Sequence, residues 1–348
     1  MVKTNNSFTP VYRTLFERYR EDILAFRLKP GDQIDSIAVL QKRYRVGRET
    51  AKRVLGLLEQ EGLIVQHRGK GSFVRDLGPR RKVWGLVFPF HSMQYEELIL
   101  AISERAAAQG REFQHFCTYN DFEEEIRLVA QLLKERCEAV MVIPTLDESR
   151  TWRSFYSRIP SWESPIVLLD HTMTSNDFPF VIQSYDLGVT RALLYMMEQK
   201  AGGIAFVENK LWAGRNMVRE LMRGTYLESM RSRRPDFEPL ILPSASAVNA
   251  DILRECQVTG VLCCDDVSGI HVIGRLHEQG MKVPEEVNVV GYGNTHLSRY
   301  FTPPMTSIDP CNEEMADVLR AFLDPARPSG KMIQKQHVVQ PRIVIRGT

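Results

Sequence analysis

Cysteine is scarce in this 348-residue chain. The six that occur, at positions 117, 137, 256, 263, 264 and 311, form no C-x-x-C pair and no His/Cys cluster at zinc spacing. A disulfide scaffold and a structural zinc module are therefore excluded, and Cys263-Cys264, inside an apolar run, read as small core residues. No stretch of about 18 apolar residues occurs, and the opening MVKTNNSFTP lacks the apolar segment of a secretory leader. The expectation is a cytoplasmic protein with reduced thiols and no membrane partner. No G-x-G-x-x-G follows the apolar run at 83–88, and neither G-x-x-x-x-G-K-[ST] nor G-x-S-x-G is present. No lysine stands in a recognisable cofactor setting. The sequence thus points to no catalytic residue, no cofactor and no metal.

Net charge is also low, at +2, but it is unevenly placed. Residues 1–82 hold 18 Lys+Arg against 9 Asp+Glu, a net of +9, whereas the other 266 residues hold 27 against 34, a net of −7. A basic end on an acidic body implies a polyanionic partner for that end alone.

Within the basic end, Leu15, Phe16, Tyr19, Ile23 and Phe26 recur at helical spacing over 14–26. Lys29-Pro30-Gly31-Asp32 breaks the pattern. A second short helix is expected from Ser36, its N-cap, to Tyr44, with Ile37, Leu40 and Tyr44 inward. After a turn at Arg45-Val46-Gly47, a third helix over 48–61 buries Ala51, Val54, Leu55 and Leu58 and stops at Gly62. Two short strands, 63–65 and 72–74, flank a tip of Arg68, Gly69, Lys70 and Gly71. The third helix opens with Arg48, Glu49, Thr50, Lys52 and Arg53. The N-terminal end of such a helix meets base edges in a major groove, where Arg pairs with guanine and Thr touches a thymine methyl or a phosphate. Arg68, Gly69 and Lys70 suit backbone or minor-groove contact.

The runs VYRTLFERYREDILAFRLKPGDQIDS and VLQKRYRVGRETAKRVLGLLEQEGLIVQHRGKGSFV resemble the N-terminal winged helix-turn-helix of GntR-type transcriptional regulators over nearly its whole length. The resemblance implies a DNA-binding domain over 1–75, with Ser36 as a phosphate contact. Two positions depart from the family pattern. Asp35-Ser36 stands for the usual Pro-Ser, and Gly47 stands for the usual Ser/Thr cap.

Past a charged linker at 76–82, apolar strand runs alternate with amphipathic helices. Strands are expected at 83–88, 112–118, 139–143, 166–169, 181–182, 203–207, 261–264 and 287–291, and helices at 95–109, 122–135, 186–199, 216–231 and 267–279. Such repeats predict an α/β fold of two doubly wound parallel lobes, about 83–182 and 183–300, with a cleft at the strand ends and a C-terminal segment crossing between them. The stretch VPEEVNVVGYGNTHLSRYFTPPMTSID resembles the signature of LacI and periplasmic sugar-binding domains, and GVLCCDDVSGIHVIGRL and PRIVIRGT keep that family's order. A GntR-type head on a LacI-type body at 83–348 is similar to the arabinose-repressor-like subfamily.

That resemblance implies ligand contacts from the loops after strands: Phe90 and His91, Thr145 beside Pro144, Asp170 beside His171, Tyr185 beside Asp186, and Asp265. The family's ligand carboxylate position holds Gly293, with Asn294 a neighbouring substitute, and the family's arginine has Arg219 and Arg223 as displaced counterparts. Trp212 is either an aromatic face for a sugar ring or a buried core or interface side chain. The implied function is a non-enzymatic, ligand-responsive regulator, a repressor of a carbohydrate-utilisation operon. Its implied partners are operator double-stranded DNA, a monosaccharide or derivative as effector, and a second copy of the chain as homodimer. Two other classes remain open at this point: a body that answers to a protein partner or a non-sugar metabolite, and an enzyme fused to the head.

Overall fold

The computed structural model describes residues 10–24, 28–75, 80–146, 155–156, 166–172, 178–199, 201–209, 216–323 and 336–348. Phe26, most of the 76–82 linker and Trp212 lie outside these residues. The chain divides into a basic N-terminal unit, within 1–80, and a unit that begins at Arg81.

In the first unit three helices, α1 (Val11–Leu24), α2 (Ile37–Tyr44) and α3 (Arg48–Gln60), enclose an apolar core of Leu15, Phe16, Tyr19, Ile23, Leu40, Val54, Leu55 and Leu58. Ser36 caps α2 by accepting from the Val39 N–H. Arg45, left-handed at φ 52, ends α2 and turns the chain toward α3. The hairpin β1 (Ile64–His67) and β2 (Gly71–Val74) pairs antiparallel in the register Ile64↔Val74. Gly69, at φ +77, permits its tight tip. The segment before α2 also bonds to this hairpin, through Gly31 N to Val74 O and Ile34 N to Ser72 O, so the wing is anchored on both sides.

Asp35 takes up a structural position. Its carboxylate accepts from the Tyr19 hydroxyl of α1 at 2.6 Å and from Arg43 of α2 at 3.0 Å. The acidic departure from the family pattern therefore ties two helices together, and its charge is met by Arg43.

The larger unit contains two six-stranded sheets. The first lobe has strand order β13-β7-β6-β5-β3-β4, built from β3 (Arg81–Phe88), β4 (Glu112–Cys117), β5 (Cys137–Val142), β6 (Ile166–Asp170), β7 (Phe180–Gln183) and β13 (Gln336–Val339). All its described pairings are parallel. Arg81 and Lys82, expected in the linker, belong to β3. The Arg81 N–H donates to Arg136 O and Arg81 pairs with Cys137, so the sheet captures them. α4 (Met93–Ala108) and α11 (Asn312–Phe322) share one core with this sheet, while α5 (Phe122–Lys134) buries Leu128, Val129 and Leu132.

The second lobe has order β14-β12-β11-β10-β8-β9, from β8 (Gly203–Val207), β9 (Leu240–Leu242), β10 (Val258–Cys263), β11 (Asn288–Tyr292), β12 (Thr306–Asp309) and β14 (Arg342–Val344). Only β14 runs antiparallel, against β12. α6 (Tyr185–Glu198) and α7 (Met217–Arg233) pack into one core. α9 (Asp266–Glu278) and α8 (Ala250–Glu255) pack into another. A short α10 (His296–Tyr300) follows β11. The chain passes between lobes at 183–185, at 309–312 and at 339–342. Near-continuous apolar strands covered by helices are what a doubly wound parallel sheet requires.

Candidate DNA-binding surface and ligand cavity

On the head, Arg48 is the first residue of α3 and is exposed. Gly47 caps the helix without a side-chain bond. Glu49 is exposed and pairs with Lys52 at 2.9 Å, while Thr50 is half-buried. Arg53 lies 4.0 Å from the centre of the Tyr12 ring, a cation–π contact that steadies it against α1. Arg68, Gly69 and Lys70 are all exposed at the wing tip. Among the described residues Arg48, Arg68 and Lys70 make no ion pair, so three cations stand unneutralised at the two places where a winged helix meets DNA. Ser36 uses its oxygen as the α2 cap and retains a hydroxyl hydrogen for a phosphate. Arg45, exposed in the turn before α3, adds a cation that periodicity did not single out, because its left-handed backbone is not legible in the pattern.

In the body, a cavity of about 550 Å³ opens between the lobes at the strand ends. The first lobe contributes Phe90, His91, Glu96, Tyr119, Asn120 and Leu146, and the second contributes Asn209, Asn216, Asp265, Asp266, Tyr292 and Thr295. Phe90 packs against the cores of both lobes. Tyr119 is 79% exposed at the cavity and adopts φ 54, and Asn120 beside it adopts φ 60. Consecutive left-handed non-glycine residues are costly and concentrate where a site dictates backbone shape.

Asp265 caps α9, accepting from Ser268 N at 2.7 Å, and its other oxygen accepts from the Asn209 amide at 2.7 Å. Asp266 is buried and accepts from Thr295 N, Thr295 Oγ1 and Ser307 Oγ. Burial pushes the Asp266 carboxyl above its ordinary range and outweighs these bonds. The structure also accounts for the missing carboxylate at 293. Gly293 sits at φ +126, a backbone no aspartate adopts readily, and a Cβ there would lie 3.6 Å from Asp266 Oδ2. Asp266 thus places a carboxylate next to the position where the family pattern carries one. Asn120 and Asn216 each spend the side-chain oxygen on a backbone N–H, of Leu146 and Arg219 respectively, which leaves each an amide NH₂ to donate.

Phe90, His91 and Asp265 are therefore the expected ligand residues that line the cavity. The structure corrects the rest of that set. Asp170 is fully buried and encircled: Tyr95 and Tyr185 hydroxyls, the Gln183 amide and His171 Nδ1 all reach its carboxylate, at 2.6–3.1 Å. Tyr185 is spent on that contact and stacks on Tyr292. Thr145 is buried, donates its N–H to Glu125 and is not among the described lining residues. Asn294 is turned into the protein by bonds to Asp309 and Arg346. Arg223 contacts Glu208 at 3.5 Å, and neither it nor Arg219 is among the described lining residues. Sequence missed Tyr119, Asn120 and Asp266 as well as Asn209 and Asn216; the last two lie beyond the end of β8, where the strand-end rule that found Asp265 would have found them.

Glu125 supports the first-lobe wall from behind. Fully buried, it accepts from Tyr156 OH at 2.7 Å and Thr145 N at 2.8 Å. Burial raises its pKa from 4.5 to about 7, against the lowering effect of those two bonds. A carboxyl raised in the folded state binds more protons folded than unfolded. Its contribution to stability is complete below pH 4.5 and is lost as pH rises through about 7. Melting curves from pH 4.5 to 8 are expected to show the wild type losing roughly 3 kcal/mol relative to Glu125→Gln across this window. Parallel curves would contradict the burial assigned to this carboxyl.

The two units together define a class: a chain carrying a winged helix-turn-helix and a two-lobed, doubly wound domain with an interlobe cavity. Residues 11–74 match the model of bacterial regulatory proteins of the gntR family, and residues 195–348 match the periplasmic binding protein-like domain. The HTH-type transcriptional repressor PurR of Mannheimia succiniciproducens is 25% identical over 321 positions, covering 88% of this chain and 92% of that one. The arabinose metabolism transcriptional repressor of Halalkalibacterium halodurans is 22% identical over 371 aligned positions, covering 96% and 95%. A solved periplasmic binding protein/LacI transcriptional regulator from Alkaliphilus metalliredigens, complexed with D-xylulofuranose, shares the fold, with a TM-score of 0.62 at 16% identity over 77% of this chain and 98% of its own. The chain thus joins a gntR-family helix-turn-helix domain to a periplasmic binding protein-like domain, and its relatives are transcriptional repressors. No helix among the described residues is long and apolar enough to cross a membrane.

Proposed function

We propose that this chain is a cytoplasmic, non-enzymatic transcriptional repressor that binds operator DNA through the 1–75 head and a small-molecule effector in the interlobe cavity. Arg48, Thr50, Lys52 and Arg53, with Glu49 trimming the charge, face the major groove, while Ser36, Arg68, Gly69 and Lys70 take the backbone or minor groove. Two heads of a homodimer read an inverted repeat with half-sites about 10 bp apart. The single observation that carries the reading is one chain with unneutralised recognition cations and a cavity shared by two lobes.

The effector we propose is a monosaccharide or derivative. Asp265 accepts hydroxyl hydrogens, the Asn120 and Asn216 amides donate, and Phe90 and Tyr119 offer apolar faces for a ring. The sugar in the Alkaliphilus structure and the arabinose metabolism named for the Halalkalibacterium relative favour this class. Thermal-shift titration with a panel of pentoses, hexoses and their phosphates tests it. A single sugar at 100 times its Kd is expected to stabilise the protein by about 2.7 kcal/mol. Silence across the panel would remove the sugar and leave a non-sugar metabolite or a protein partner.

A further inference from the structure

Among the described residues, lobe-to-lobe contacts away from the chain crossings include Phe90, which packs against both cores, and two contacts next to cavity-lining residues. In the first of these two, the Met217 N–H at the start of α7 donates to Leu146 O of the first lobe at 3.4 Å, and the Leu146 side chain is buried in the second lobe's core. In the second, Glu97 of α4 reaches α10. Its Oε1 accepts from His296 N at 3.0 Å and lies 3.3 Å from His296 Nδ1, while Oε2 stands 4.0 Å from Arg299. The immediate chain neighbours of this pair, Glu96 and Thr295, both line the cavity; Glu97 and His296 themselves do not.

We propose that Glu97 is the clasp of the two lobes, a positioning residue that holds the cavity closed without touching what fills it. Its geometry suits that work. One carboxylate accepts from the His296 N–H and has the His296 ring and the Arg299 guanidinium beside it, all on a single short helix, and a bond to an ionised acceptor is stronger than a neutral one. Glu97 is 24% exposed against 51% for His296 and 45% for Arg299. The contact is thus strong enough to bias the closed arrangement and weak enough to open, which a surface pair of this kind achieves and a buried one does not. A lobe motion hinged at the three crossings must break this contact and the Leu146–Met217 bond together. The consequence for effector affinity rests on the function proposed above. By setting the fraction of molecules with a closed cavity, Glu97 scales the apparent affinity for any ligand that bridges the lobes.

Native-state hydrogen exchange on the full chain, with no effector added, tests the clasp. In Glu97→Ala the amides of 296–299 lose their partner and exchange faster, as any local cap would require. The informative amide is Met217, at the other lobe-to-lobe contact. Its exchange is expected to rise about five-fold in Glu97→Ala and by an intermediate factor in Glu97→Gln, whose carbonyl oxygen still accepts from His296 N–H. The α6 amides from Val189 to Met196 serve as the internal control and are expected to stay unchanged, because they report global unfolding. Acceleration confined to 296–299 would make Glu97 a local helix cap and overturn the proposal, as would acceleration that includes the α6 control. If Met217 responds but no sugar alters operator binding, the clasp stands and the sugar-responsive switch fails, so the two failures are separable.

Discussion

Asp170→Ala is expected to destabilise the body by about 3–5 kcal/mol. Four donors converge on this one buried carboxylate, from Tyr95 of α4, Tyr185 of α6, Gln183 of β7 and its neighbour His171. Removing it leaves each donor buried and unpaired at a place where water does not compete. Gln183 then passes the arrangement on, accepting from Tyr292 OH, and Tyr292 lines the cavity. Both lobes and the first crossing between them are therefore built around one anion. For a body of this size the loss corresponds to a fall in melting temperature of roughly 10 °C, read by calorimetry. Tyr185→Phe, which removes one donor and keeps the ring on Tyr292, is expected to cost about 1 kcal/mol. A fall of less than 2 °C in Asp170→Ala would show that the donors find other partners.

The same residue has a pH signature of opposite sign to that of Glu125. Burial acts to raise the Asp170 carboxyl, but the bonds from His171, Gln183 and Tyr185 and the His171 charge win and hold it below the usual carboxylate range. A depressed carboxyl contributes stability that is present above the unfolded pKa, near 3.9, and is lost as pH falls through the folded value. The Asp170 contribution is thus lost on the acid side, whereas that of Glu125 is lost as pH rises toward neutral.

Arg48→Ala is expected to weaken specific operator binding by about 1–3 kcal/mol, roughly 5- to 150-fold, and to relax preference at one base pair. Arg48 opens α3, is exposed and makes no ion pair among the described residues, so its loss disturbs nothing inside the head. Arg53 is a weaker choice because its guanidinium already rests on Tyr12. Lys70→Ala at the wing tip provides the contrast, since a phosphate contact weakens all sequences alike and lowers the salt dependence by about one counterion. Binding to DNA selected from a random pool, measured for all three proteins, separates the two roles. An unchanged sequence preference in Arg48→Ala would move base reading to another element.

The head was legible in the sequence because its helices are amphipathic, its strands short and its breaks marked by Gly47, Gly62 and Gly69. The lobes were legible as alternating strands and helices, with ends displaced by a few residues, as at Arg81, where a partner strand decides the boundary. A C-terminal segment crossing between the lobes was expected, but its elements β12, α11, β13 and β14 were not delimited, because consecutive pieces lie in alternate lobes and no local pattern marks their ends. At the cavity, the rule that ligands are met after strand ends found Phe90, His91 and Asp265 but also drew in Asp170 and Tyr185. What distinguishes them is contact at a distance. Tyr95 lies 75 positions from Asp170, and Tyr292 lies 109 from Gln183, separations at which one sequence carries no signal. Asp35 is the reverse case: an acid that looked out of place beside DNA is explained by Tyr19 and Arg43.

The central claim is that occupancy of the interlobe cavity is coupled to operator affinity. Fluorescence anisotropy of the selected operator, titrated with full-length protein at fixed salt with and without the sugar that stabilises it, measures that coupling directly. The proposed switch predicts a change in operator Kd of about 5- to 150-fold, carried by the same sugar concentration that raises the melting temperature, and lost in Asp265→Ala while sugar-free operator affinity is kept. An operator Kd that is the same with the cavity filled and empty would contradict the account.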